Sequence, residues 1–376
     1  MRLRRASCLT CYWFEGEFVV HPYPGGTPTA LHPAAAEVLA AFDDWIEPVK
    51  AAEELDHLTP DTVAEAVQAL HEAGALLAEG DDEADRDEQV ARQWREWAPE
   101  ASFFHYATLD NRYAQDDRGQ TDPEEQADTS VAAEDGPRHT LFTEYPDADR
   151  VMLPRPHADL RLPYDQVLYA RRTHRDFTDD PVPLSTLATL LSTVFGPVDY
   201  IDSGSGALFR RTSPAGGARQ ELDAYLGVLN VTGVDPGMYH YNLREHSLEL
   251  LSPGLDRDEA VVLGANQKWV GEAAFLVVLT AVIDRMSSKY RIPRCYRVCL
   301  LNAGHLGQTF ALTATALGLG PAQTGAFSDV PVAERLGLDN IGRIPLYVLA
   351  AGVPHPHPTQ RAPQATADTF KTTTLR

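Results

Sequence analysis

Residues 213 to 241, SPAGGARQELDAYLGVLNVTGVDPGMYHY, constrain this chain more than any other stretch. A small, glycine-rich loop runs straight into LDAYLGVLNV, whose apolar residues alternate as a strand requires. GMYHYN and SLELLS then flank NLREHS and read as a hairpin. Small residues from Ser213 to Gly217 let backbone amides approach a flat ligand, although the same composition also makes a plain turn.

Around that core the spacing predicts a long helix over 300 to 317, a short one over 330 to 336 and a late strand, IPLYVLAAG, over 344 to 352. Strands and helices do not alternate strictly, so the fold class is α+β. The apolar run AAFLVVLTAVI, 273 to 283, is half of the ~20 residues a membrane helix needs and reads as a buried strand. At 376 residues the chain exceeds what one core supports, which predicts two units and a connector.

The first unit, 1 to 80, reads as short extended pieces (FEGEFVVHPY and TPTALH), helices over 33 to 44, 47 to 56 and 60 to 73, and a closing strand. Thr59 and Pro60 supply a helix cap and first turn, Val63, Val67 and Leu70 share a face, and Gly74 closes the helix. This order resembles the winged-helix, PqqD-like peptide clamp of ribosomal peptide modification systems. Winged helices also read DNA, but TVAEAVQALHEAG has no Lys or Arg to meet a phosphate backbone. Residues 81 to 159 read as an acidic connector, disordered over 115 to 140. The catalytic unit is assigned to 160 to 362 and a flexible tail to 363 to 376.

Net charge of −22, from 54 acidic and 32 basic residues, argues against nucleic acid and anionic membranes as partners. MRLRRAS is not followed by an apolar secretion signal, and the cysteine usage fits a reduced, cytoplasmic chain. Cys8 and Cys11, with Cys295 and Cys299, could in principle ligate one zinc; nearly three hundred residues separate the pairs, and buried, inert thiols are the preferred reading, so no metal is expected. His355 and His357 lie on a proline-rich segment that reads as a loop.

Three arginines, Arg171, Arg172 and Arg175, surround Thr173 in ARRTHRDF; guanidinium forks and a hydroxyl near a helix end suit a phosphate. GLGPAQTGAF, 318 to 327, follows a long helix, so its glycines read as a helix stop and not as a dinucleotide fingerprint. Lys289 and Tyr290 adjoin in SSKYRIPRCYR, and AGHLGQTF follows with His305, which reads as a core histidine, one turn from Gln308.

Jointly, ARRTHRDF, SPAGG, the KY pair, AGHLGQTF and IPLYVLAAG resemble the SagB-type peptide dehydrogenases of the FMN-dependent nitroreductase superfamily. The resemblance implies a nitroreductase-like fold: a mixed, mainly antiparallel sheet flanked by helices. It implies FMN as cofactor, with Arg171 and Thr173 at its phosphate end, Arg175 at the N1/O2 edge and Arg172 nearby. Ser213, Ala215 and Gly216 match the family's SPSGG block, Ala215 replacing a usual serine, and Thr324, Gly325 and Ala326 would face N5 and O4. Lys289 and Tyr290 match the family's catalytic pair. A lysine base must be neutral, and tyrosine either orients the substrate or takes the proton itself; both roles stay open. Asn302 stands where the family usually has an acid, and Gly342 and Arg343 stand where an acid is common.

The implied activity is oxidation of peptide thiazolines and oxazolines to thiazoles and oxazoles, on a precursor peptide, by a homodimer, with a cyclodehydratase as further partner. Competing readings are flavin chemistry at another peptide position, a stand-alone NAD(P)H nitro or quinone reductase, and a docking subunit without flavin.

Overall fold

A computed structural model describes residues 1–110, 140–155, 159–160, 162–202 and 207–355. The stretch read at 115 to 140, apart from its last residue, the tail from 363, and His357 therefore lie outside the described residues. Residues Met1–Tyr113 and Ala114–Arg376 form two units.

In the first unit, β1 (Leu3–Arg5) pairs antiparallel with β5 (Leu76–Ala78), and β2 (Leu9–Phe14), β3 (Glu17–Pro22) and β4 (Thr29–Leu31) make a three-stranded antiparallel sheet. Helices α1 (Ala35–Ala40), α2 (Pro48–Glu54) and α3 (Pro60–Glu72) lie between β4 and β5 in sequence. Thr59 caps α3 by accepting from the Thr62 amide at 3.2 Å, Pro60 opens it, and Gly74 at φ +78° turns the chain out of it. Val63, Val67 and Leu70 of α3 pack with Leu3, Phe18, Val20, Val38, Phe42 and Leu76 in one core.

Helices α4 (Asp82–Gln93) and α5 (Pro99–Ala107) follow β5 within the same unit. They are held there by chemistry that the acidic composition concealed. Asp87 of α4 is buried and accepts from the amides of Ser7 and Cys8 at 3.0 and 2.8 Å and from Arg4 at 3.1 Å. Val90, Trp94, Phe103 and Tyr106 pack around Cys8 and Tyr23.

The second unit is built on a seven-stranded sheet in the order β13-β14-β12-β9-β10-β11-β6. Its strands are β6 (Arg150–Met152), β9 (Leu222–Val228), β10 (Gly237–Asn242), β11 (Ser247–Pro253), β12 (Phe275–Val282), β13 (Gly320–Thr324) and β14 (Arg343–Gly352), and every ladder is antiparallel. A small hairpin, β7 (Asp199–Asp202) with β8 (Ala207–Arg210), stands apart. The helices are α6 (Tyr164–Ala170), α7 (Leu184–Phe195), α8 (Arg257–Leu263), α9 (Lys268–Glu272), α10 (Ile283–Ser287), α11 (Cys295–Ala316) and α12 (Asp329–Arg335).

Alternation along β9 decides which helices cover which face. Leu222, Ala224, Leu226 and Val228 pack with α7 and with Ala303, Leu306 and Phe310 of α11. Tyr225 faces the other way, into the core formed with Ala260, Trp269, Val270 and Val332. Burying ~100 Å² or more of each such apolar side chain contributes roughly 1.5–3 kcal/mol, so the two-sided cover is what fixes the register. The apolar run at 273 to 283 is β12, in the sheet's interior. Among the described residues no helix is long and apolar enough to cross a membrane.

The tyrosine-bearing face also carries a buried polar stripe, covered by residues 140–149. Asp223 receives Arg285 at 2.6 Å and Thr143 at 2.5 Å, His240 meets Glu249 at 2.8 Å, and the Tyr145 and Tyr225 hydroxyls lie 3.0 Å apart. Burial works against ionisation of Asp223, but Arg285, together with His240 and the Thr143 hydroxyl, more than offsets it and holds the carboxyl below its usual range.

Candidate functional site

The long helix α11 organises the site. Ser213, buried, shares a hydrogen bond of 2.6 Å with Thr309 of α11. The Gly216 amide donates to Asn302 Oδ1 at 3.3 Å, and a Cβ at Gly216 would lie 2.5 Å from Val298 Cγ1. Gly217 sits at φ +61°, and a Cβ there would lie 2.4 Å from the Tyr290 hydroxyl. The glycines are thus required by α11 on one side and Tyr290 on the other, the close backbone approach that only glycine permits. Ala215 precedes this turn in extended backbone and is half-buried.

Tyr290 is half-buried, and Lys289 is exposed with its Nζ 5.2 Å from the Tyr290 ring centroid. Within this chain Lys289 is thus open to solvent beside the Tyr290 ring. The Lys289 and Tyr290 amides bond the Met286 carbonyl at 3.2 and 3.0 Å, fixing both residues at the end of α10.

The arginine block follows α6, which packs on α11. Its backbone is pinned to the sheet: the His174 amide donates to Pro321 at 2.9 Å, the Thr178 amide to Val353 at 2.9 Å, and Phe177 is buried against Gly352. Arg172 folds back onto the carbonyls of Tyr169 and Arg171 at 2.8 and 2.7 Å. The side chains of Arg171, Thr173 and Arg175 make no hydrogen bond or ion pair among the described residues, and Thr173 and Arg175 are exposed. Two unpaired guanidinium groups and a hydroxyl on a pinned backbone form a donor set that fits a phosphate-bearing ligand.

Thr324, Gly325 and Ala326 form a turn at the end of β13. Thr324 Oγ1 accepts the Ala326 amide at 2.9 Å, and Gln267 donates to Thr324 Oγ1 at 3.2 Å and to the Ala326 carbonyl at 2.6 Å. The Ala326 amide is thereby used inside the turn. The space around Gly325 is open, with no atom within 4 Å of a Cβ built there, so its backbone is the accessible part of the block.

Several residues differ from expectation. His305 is exposed, not a core histidine, because its side of α11 turns away from the sheet while Leu306 and Phe310 turn inward. Cys8, Cys295 and Cys299 are buried but Cys11 is exposed, since β2 carries it on its outer face. Burial pushes the Cys8 and Cys299 thiols up to about 12, with Asp87 and Glu221 respectively as the next contributors. His355 meets Asp176 at 3.3 Å on the surface. Asn302 is buried and hydrogen-bonded to Glu221.

Sequence reasoning missed Gln267, Glu221 and Arg211. Glu221 is fully buried beside Asn302, and burial pushes its carboxyl up. Arg211 is buried behind the loop, donating to Phe195 at 2.8 Å and to Gln220 at 3.1 Å, and burial lowers it to about 10. Arg211 and Glu221 flank the glycine-rich loop in sequence, but nothing there marks them as buried, and Gln267 has no local signal.

Residues 168–353 match the model of the family described as "Nitroreductase family". The chain is 28% identical over 213 residues to MJ1384 of Methanocaldococcus jannaschii, named as a nitroreductase, covering 57% of this chain and 96% of that one. It is 29% identical over 164 residues to the trifolitoxin-processing protein TfxB of Rhizobium leguminosarum bv. trifolii, covering 42% of this chain and 43% of that one. It is 28% identical over 156 residues to the microcin B17-processing protein McbC of Escherichia coli, covering 40% and 57%. The chain thus spans nearly all of the first relative and about half the length of the two processing proteins.

Proposed function

Because residues 168–353 are a nitroreductase-family domain, we propose that this chain is an FMN-dependent oxidoreductase of ribosomal peptide maturation that oxidises thiazolines and oxazolines to thiazoles and oxazoles. The observation that carries the reading is the packing of the Tyr290 hydroxyl against the Gly216–Gly217 loop, which joins the expected proton-handling pair to the expected cofactor cradle. Similarity to proteins named for processing trifolitoxin and microcin B17 supports the peptide substrate class.

Arg171, Thr173 and Arg175 would hold the FMN phosphate and the N1/O2 edge, with Arg172 bracing the segment from behind. Ser213, Ala215, Gly216 and the Thr324–Gly325–Ala326 turn would border the ring, the Gly325 backbone being the part free to meet it. When bound, FMN supplies the two-electron acceptor that azoline oxidation requires. The Lys289–Tyr290 pair is assigned the ring proton. In a homodimer with shared sites, a second chain or the substrate would cover the exposed Lys289. Residues 1 to 80 are assigned the role of a peptide clamp, and a cyclodehydratase that supplies azolines is the matching partner.

A second reading, an NAD(P)H-dependent nitro reductase, draws on the 96% coverage of MJ1384. The test is to identify the flavin released on denaturation and to compare turnover of an azoline peptide with that of a nitroaromatic plus NAD(P)H. FMN with azoline turnover supports the first reading; nitroaromatic turnover alone replaces it with the second.

A further inference from the structure

Both ends of the buried Asn302 amide are committed. Its Oδ1 accepts the Gly216 amide at 3.3 Å, and its Nδ2 donates to Glu221 Oε1 at 2.8 Å. Only the oxygen end can take an N–H, so the bond to Glu221 dictates which way the amide points. Glu221 is 0% exposed, its Oε2 takes no N–H or O–H hydrogen bond among the described residues, and the Cys299 thiol is the nearby donor. With Arg211, Ser213, Ala215 and Asn302 it lines a cavity of about 10 Å³, the space of one water. The charged or titratable groups around it are Arg211, Arg285 and the Cys299 thiol.

We propose that Glu221 and Asn302 are a matched pair of positioning residues that hold the Gly216 end of the cofactor loop, so that residue 302 is neutral because residue 221 is acidic. The inference rests on the FMN reading above. An acid at 302 would set two carboxyl groups about 3 Å apart in a buried site, where both cannot ionise and one proton is shared. Exchanging the two side-chain types preserves every hydrogen bond: a glutamine at 221 donates to an aspartate at 302, whose other oxygen still accepts from Gly216.

The test titrates the full chain with FMN, reading flavin fluorescence at about pH 6 and about pH 9, for the wild type, Asn302→Asp, Glu221→Gln and the double variant. Asn302→Asp is expected to weaken FMN binding about tenfold at the higher pH and less at the lower, as the shared proton is lost. The double variant is expected within about threefold of the wild type at both. Thermal unfolding of the same proteins without FMN reads folding separately. Wild-type-like binding by Asn302→Asp at both pH values, or a folded double variant as weak as Asn302→Asp, overturns the pair alone. A wild type that binds no FMN overturns the parent reading with it.

Discussion

The Tyr290 hydroxyl and Gly217 occupy space that cannot also hold a methyl group, since a Cβ on Gly217 would stand 2.4 Å from that oxygen. Gly217 also sits at φ +61°, where a side chain adds strain. Gly217→Ala should therefore push Tyr290 out of place and cost roughly 1 kcal/mol or more of stability. The expected result is turnover reduced at least about tenfold with a small drop in melting temperature. Gly217→Ala with unchanged kcat and FMN content would separate Tyr290 from the loop.

Arg171 and Arg175 should act on cofactor retention before they act on chemistry. Among the described residues their guanidinium groups have no hydrogen-bond or ion-pair partner, on a backbone pinned at His174 and Thr178. Each alanine variant should weaken FMN binding about tenfold, the loss of one charge-assisted bond. Arg172→Ala should do less, because that side chain is spent on the carbonyls of Tyr169 and Arg171. Equilibrium dialysis against FMN at two salt concentrations checks the order.

Lys289→Ala and Tyr290→Phe should lower kcat on an azoline peptide by about a hundredfold while leaving FMN bound, the usual size of a lost acid–base group. The variant with the larger loss on kcat identifies the proton acceptor. Loss of flavin from either variant would instead make it a cofactor ligand.

The pH dependence of stability follows from two buried carboxyls with opposite shifts. Glu221 is raised, by burial first, so its folded form prefers the proton. Its contribution falls as pH rises from the unfolded value through the raised folded one. Glu221→Gln should hence match the wild type near about pH 4 and exceed it in melting temperature at neutral and alkaline pH. Asp223 is lowered by Arg285 despite burial, so its contribution is present above the unfolded carboxyl value and lost as pH falls through the folded one. Asp223→Asn should cost roughly 3–5 kcal/mol at neutral pH by leaving Arg285 buried without its counter-ion. Melting curves across that range check both signs.

Local signals were legible where one residue decides the backbone. Thr59 and Pro60 open α3, Gly74 ends it, and the alternation in LDAYLGV gives β9. The α+β class follows from such elements in order, but the sheet order does not: β9–β10–β11 and β13–β14 are neighbours in sequence, whereas β12 beside β9, β14 beside β12 and β6 beside β11 are pairings between distant segments. Long-range pairings were not legible. Nothing in EADRDEQ announces that Asp87 is buried under the amides of Ser7 and Cys8, and nothing in HLGQ tells which side of α11 meets the sheet, so His305 was misplaced. At the site, the loop, the arginines and the KY pair could be named from sequence, but Gln267, Arg211 and Glu221 could not. Their significance is a distance to residues far along the chain, such as the 2.8 Å from Asn302 to Glu221.

The central claim is that azoline oxidation at the Lys289–Tyr290 site delivers electrons to bound flavin. The direct measurement is anaerobic mixing of the FMN-loaded protein with a thiazoline peptide, following the flavin absorbance and the peptide mass. The account predicts bleaching of the flavin and a peptide lighter by two hydrogens per ring. Flavin that stays oxidised with the peptide unchanged, yet bleaches with NAD(P)H, would contradict it.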